Sequence, residues 1–175
     1  MAARVLQEDL VPVQIRTARK KGPVVQRQNA AFALRGCGFN SHQVQMNKKE
    51  IGKLGEKIAF NFLKKRGYKI LGKNYLLKYG SDPLQGEIDL IAQKNDIIHF
   101  IEVKSLTQKQ KNKSSSFPPE ERVNSQKLKK IKKAGEAWLI KNKIPLDRPW
   151  QIDVLAITVF PQLKKAKIRR FENVS

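Results

Sequence analysis

Residues 86–106 read GEIDLIAQKNDIIHFIEVKSL. Two apolar runs joined by KND carry Glu87, Asp89, Glu102 and Lys104 at positions where a buried strand normally places hydrocarbon. IIHFIEV is apolar on both faces, as expected of a central strand covered by a layer on each side. A carboxylate in such a strand is strongly disfavoured unless a cation, a metal or a water-filled cleft meets it. Side chains alternate along a strand, so Glu102 and Lys104 share one face, acid beside amine.

Whether Asp89 joins them depends on the turn between the runs. A four-residue connection over 94–97 sets Asp89 directly opposite Glu102, a two-residue one sets it diagonally, and a three-residue loop turns it to the other face; an even-numbered register is expected. Two carboxylates at cross-strand distance repel each other unless a cation lies between them, and a pair of hard oxygen ligands points to Mg²⁺ or Mn²⁺. A metal held by so few carboxylates keeps several waters and accepts a phosphate oxygen, so a phosphodiester fits. Lys104 could then orient the attacking water or neutralise charge developing on phosphorus.

The elements that must position these groups are legible around them. Asn47 with Glu50 forms a capping pair, and Ile51, Leu54, Ile58, Ala59, Phe62 and Leu63 recur at helical spacing until Gly67 closes the run. Strands are expected at 68–78, 87–93 and 97–105. TQKQKNKSSSFPP, 107–119, reads as a mobile polar loop. A second helix begins after Asn124 or Ser125 and runs to about 142, with Leu128, Ile131, Gly135, Trp138 and Leu139 on its buried stripe. WQIDVLAITVF and a basic segment near 166–172 complete the strands.

Residues 1–45 show neither periodicity and are expected to be an unstructured or non-native extension, with Met46 as the natural start of a domain over 46–175. The chain has 36 Lys and Arg against 15 Asp and Glu, a net charge of +21. Residues 46–175 carry 29 and 13 of these, so the positive field belongs to the main domain. Such a field concentrates polyanions, nucleic acid first. No run approaches the roughly 20 apolar residues of a membrane span, and the single cysteine, Cys37, cannot form an internal disulfide; a cytoplasmic protein without a membrane partner is expected.

Asp89, a twelve-residue gap, then Glu102-Val103-Lys104 on a strand after a first helix resembles the PD-(D/E)XK nuclease core of restriction enzymes and archaeal Holliday junction resolvases. More narrowly, GEKIAFNFLKKRGYKIL, KNY, GEIDLIA, FIEVKS and QIDVLAI follow in the order of the YraN-like family of uncharacterised bacterial proteins, over about 46–175. The resemblance implies an α/β restriction-endonuclease-like core, with a mixed central sheet of about five strands flanked by helices in the order α-β-β-β-α-β-β. It implies Asp89 and Glu102 as metal ligands, Lys104 as catalytic lysine, Glu56 of GEKIA as a supporting acid, and, as in resolvases, a homodimer. The sequence departs from the pattern at Ile88, where the motif has proline, and at Leu128, where relatives often carry glutamine after the position of Lys127.

The expected activity is Mg²⁺-dependent (or Mn²⁺-dependent) hydrolysis of phosphodiester bonds in structured or branched nucleic acid, DNA rather than RNA. Lys109 and Lys111 of the loop and Lys127, Lys129, Lys130 and Lys133 of the second helix would hold the sugar-phosphate backbone. The alternative is a binding protein that keeps the core but does not cleave. A third reading, an interaction module for an acidic protein partner, has only charge in its favour. The plainer readings are that Glu102 and Lys104 form an edge-strand ion pair worth about 0–1 kcal/mol, that the lysines are solvent-facing, that His99, Trp138 and Trp150 belong to the core, and that Asp153 is structural.

Overall fold

The structure, a computed structural model, describes residues 5–13, 46–78, 85–107 and 125–174. In chain order it contains β1 (Val5–Pro12), α1 (Lys48–Lys65), β2 (Lys69–Leu77), β3 (Gly86–Lys94), β4 (Ile97–Thr107), α2 (Ser125–Lys141), β5 (Trp150–Phe160), a 3₁₀ turn over Pro161–Leu163, and β6 (Lys165–Phe171). From α1 onward this is the expected helix, three strands, helix, two strands. The six strands lie in the order β1-β6-β5-β4-β3-β2; β4 and β5 run parallel and every other pair antiparallel.

The capping pair forms at α1. Asn47 Oδ1 accepts from the Glu50 N–H and a Glu50 carboxylate oxygen accepts from the Asn47 N–H, both at 2.9 Å, satisfying two of the free donors at a helix start. Gly67, at φ 80°, lets the chain turn back toward β2. The apolar stripe of α1 puts Ile58, Ala59, Phe62 and Leu63 against Leu90, Ala92, Ile101 and Leu155 on one face of the sheet. On the other face α2 sets Ile131, Ala134, Trp138 and Leu139 against Ile88, Ile91, Phe100 and Ile152. Each buried Leu, Ile or Phe among them contributes about 1.5–3 kcal/mol, and together they make β4 the covered central strand its composition implies.

Two expectations need correction. The sheet has a further strand, β1, within the segment expected to lack regular structure. It pairs with β6 from Gln7 opposite Arg170 to Pro12 opposite Lys165, and the Val13 N–H donates to Lys164 O at 2.8 Å. VLQEDLVP gives no alternation to read in the sequence; among its described side chains Val11 packs against the core while Leu10 is 60% exposed. Its partner lies more than 150 residues away in sequence. At the β3–β4 turn the even-numbered register is as expected, and the second correction concerns only the register tied to turn length: the turn is the two-residue one, Asn95 and Asp96 at φ 48° and 61°, the left-handed pair of a tight hairpin. Since Lys94 itself pairs with Ile97, the register is the direct one and not the diagonal. Residues 108–124, and with them Lys109, Lys111 and nearly all of the expected mobile loop, lie outside the described residues. No helix among the described residues is long and apolar enough to cross a membrane.

Candidate active site

The β3–β4 ladder is regular from Lys94 opposite Ile97 to Leu90 opposite Ile101 and then stops. The next pair in the same register is Asp89 and Glu102. Beyond it β4 continues alongside β5 as far as Thr107, whereas β3 stays with β2 as far as Gly86 opposite Leu77. The two central strands therefore part where the acids sit.

A slip in the alternation of β3 aims Asp89 into that parting. Leu90 packs in the α1-side cluster, yet Ile88 packs in the α2-side cluster, as does Ile91. The phase changes at Asp89, and across from it Asn74 adopts φ 49°, between Lys73 opposite Leu90 and Tyr75 opposite Ile88. Asp89 Oδ2 accepts a 2.6 Å hydrogen bond from the Val103 N–H, replacing the strand carbonyl that would otherwise have paired there. Burial pushes the Asp89 carboxyl up to about 7, the negative charge of Glu102 and to a lesser degree Glu87 adds to this, and the Val103 N–H and Lys127 oppose it.

Glu102 follows Ile98 and Phe100 on the α2 side and is 3% exposed. Lys104 Nζ lies 3.1 Å from its Oε1, and Lys127 Nζ, from the first turn of α2, lies 3.2 Å from its Oε2. The second distance does not amount to a hydrogen bond: Oε2 is buried with no hydrogen-bond donor among the described residues, so Lys127 meets it as a charge in an unfavourable direction. Helix α2 can bring Lys127 this close because β3 begins at a glycine. A Cβ on Gly86 would stand 2.6 Å from Lys130 O and 2.9 Å from Ala134 Cβ.

Of the predicted residues, the structure thus unites Asp89, Glu102, Lys104 and Lys127. Glu56 is half-buried on α1, which covers the opposite face, and is not among the charges that reach Asp89. Lys129, Lys130 and Lys133 are exposed on α2, with Lys133 Nζ 3.2 Å from Gln85 Oε1. Among the described residues no three His, Cys, Asp or Glu converge to hold a metal ion. Two hard carboxylates can hold one only if water or phosphate oxygens complete the shell, and Oε2 of Glu102, which faces the Lys127 ammonium at 3.2 Å without a hydrogen bond, has a lone pair such an ion could take. The donor set fits Mg²⁺ or Mn²⁺ in that limited sense.

At the other end of β4, His99 and Asp153, expected as a core residue and a structural one, belong to a second polar group whose third member, Arg170, sequence reasoning missed. Asp153 is fully buried and binds His99 Nδ1 at 2.8 Å, Arg170 Nη2 at 2.7 Å, Gln151 Nε2 at 2.7 Å and the Asn173 N–H at 3.1 Å. Burial alone would raise its carboxyl, but the His99 hydrogen bond and the Arg170 charge outweigh it and hold the carboxyl below its ordinary value. Arg170 also donates to Tyr68 Oη and meets Glu172 at 2.7 Å. The Asp153 carboxylate is fully partnered within this cluster, which reads as structural, while the buried Nε of Arg170 has no hydrogen-bond partner among the described residues; the final basic strand gave no sign that Arg170 turns inward.

Comparison with known proteins identifies the family. Residues 55–157, which include α1 from Gly55 through most of β5, match the model of the uncharacterised protein family UPF0102. A UPF0102 protein of Dictyoglomus turgidum is 38% identical over 117 residues, 67% of this chain and 89% of the relative. A UPF0102 protein of Alkaliphilus oremlandii is 40% identical over 129 residues, 73% of this chain and 98% of the relative. One from Campylobacter jejuni is 41% identical over 124 residues, 71% of this chain and 92% of the relative. The chain belongs to the uncharacterised protein family UPF0102, the YraN-like family.

Proposed function

We propose that this protein is a divalent-metal-dependent nuclease acting on structured or branched nucleic acid, DNA rather than RNA. The observation that carries the reading is the meeting of Asp89 and Glu102 where β3 and β4 part, with Lys104 at 3.1 Å and one buried carboxylate oxygen left without a hydrogen bond. Asp89 and Glu102 would hold Mg²⁺ or Mn²⁺, which when bound would supply Lewis-acid polarisation of the phosphoryl group and a water of lowered pKa. Lys104, 39% exposed at its side chain, reaches out of the parting to orient the attacking water or to neutralise charge growing on phosphorus. Lys127 leaves Glu102 for a phosphate when substrate arrives, and the exposed lysines of α2 hold the backbone without reading sequence.

One observation favours a second reading. Two ammonium groups already neutralise Glu102, and no third acid completes a metal cage among the described residues. A nucleic-acid-binding protein that keeps the core without cleaving would look the same. Cleavage assays on four-way junctions, flaps, duplexes and single strands with Mg²⁺ or Mn²⁺, run beside Glu102→Gln, separate the two. Metal-dependent cutting lost in the variant supports the nuclease. Tight binding equal in both proteins, without cutting on any substrate, supports the binding protein.

A further inference from the structure

A groove of about 940 Å³ runs between α1 and β1, on the α1 side of the sheet and apart from the acids and lysines described above. Leu54, Ile58, Phe62, Val11 and Val13 give it an apolar floor. Its rim carries Lys57, Lys64, Lys65, Arg66 and Lys164 against the single acid Asp9, which is bound to Arg66 at 2.6 Å. Five consecutive residues of the edge segment, Asp9 to Val13, line it. Neighbouring side chains of a strand point to opposite faces, so a groove that touches all five sees the strand edge-on. β1 is the last strand of the sheet among the described residues, and its outer N–H and C=O groups have no ladder partner among them.

We propose that this groove docks an acidic, extended peptide with alternating apolar residues, which adds a strand to the free edge of β1, drops its apolar side chains onto the floor and sets its carboxylates against the lysine rim. Strand addition supplies affinity through main-chain hydrogen bonds, and alternate side-chain pockets supply selectivity. From Leu54 to Arg66 the helix wall is about 18 Å long, which spans about five or six extended residues. Charge excludes other occupants. Residues 14–45 of this chain carry six Lys and Arg and no Asp or Glu, and a second copy brings a net +21 to a basic rim. A stacked nucleobase finds no open ring, since the one aromatic of the floor, Phe62, is 7% exposed and is covered by the Arg66 guanidinium at 4.7 Å.

The test is fluorescence anisotropy of the full chain with a labelled heptapeptide alternating aspartate and isoleucine, beside a heptapeptide of aspartate alone and an alternating peptide N-methylated on one edge. Saturable binding is expected, at least tenfold weaker for polyaspartate and for the peptide methylated on its pairing edge. The same loss is expected in the double variant Lys57→Glu, Lys164→Glu, both at exposed positions, and in Leu10→Asp, which changes the apolar wall without touching the core. Equal affinity for polyaspartate would overturn the inference, because the apolar floor would then play no part. Unchanged peptide binding in both variants, with binding of a labelled single-stranded oligonucleotide weakened tenfold, would give the groove to nucleic acid instead.

Discussion

Asp89 and Glu102 occupy facing positions at the open end of a tight hairpin, one beyond the last regular pair of the ladder, so that two carboxylates share a gap that neither strand closes. Their proximity is a cost to the fold. Asp89 carries the visible part of it as a carboxyl displaced to about 7 by burial and by the charge of its neighbour.

That cost has a direction in pH. A carboxyl raised above its unfolded value of about 3.9 binds more protons folded than unfolded between the two values, so stability falls as pH rises from about 4 to about 7 and stays lost above. Asp89→Asn keeps an oxygen for the Val103 N–H but cannot ionise. Thermal melts should coincide for variant and parent at pH 4. Above pH 7 the metal-free variant should melt several degrees higher, at about 2–4 °C for each kcal/mol.

With metal at sub-saturating concentration the same group governs activity. Cleavage should climb about tenfold per pH unit below 7 and level off above, as Asp89 loses its proton. A rate profile flat between pH 5 and 7 would remove Asp89 from the ligand set.

The close fit at Gly86 should be intolerant of size. Gly86→Val forces α2 away from β3 and with it Lys127 away from Glu102, at a cost of about 1–3 kcal/mol for overpacking. Urea denaturation should show that loss, and nucleic-acid binding should weaken more than it does in Lys129→Ala, whose residue is exposed.

At the other end of β4, Asp153→Asn leaves Arg170 and its neighbours without their buried counter-charge and should cost about 3–5 kcal/mol. Because the Asp153 carboxyl is held low, its contribution is present above about pH 3.9 and fades as pH falls through the lower folded value, so parent and variant should converge in melts only in strong acid.

Phosphate contacts should register in salt. The logarithm of duplex affinity should fall linearly with the logarithm of salt concentration, with a slope of about −0.9 per phosphate neutralised. Lys129→Ala with Lys130→Ala should flatten that slope without changing sequence preference.

Much of this was legible because local chemistry and tertiary position agree. Asn47 and Glu50 announce α1, Gly67 ends it, and the double-sided apolarity of IIHFIEV fixes β4 at the centre. The position of Glu102 beside Lys104 follows from alternation alone. What failed depends on distant or irregular backbone. β1 is held by β6 and not by its own pattern, the phase slip at Asp89 needs the left-handed Asn74 on the neighbouring strand, and Arg170 turns inward to meet an acid on β5. Glu56 lies on α1, which covers the opposite face of the sheet from α2.

The most direct measurement is anomalous scattering from crystals grown with Mn²⁺. The account expects a peak beside the carboxylates of Asp89 and Glu102, absent in Glu102→Gln crystals. A well-ordered site with both carboxylates free of metal at saturating Mn²⁺, or a peak that persists unchanged in the variant, would contradict it.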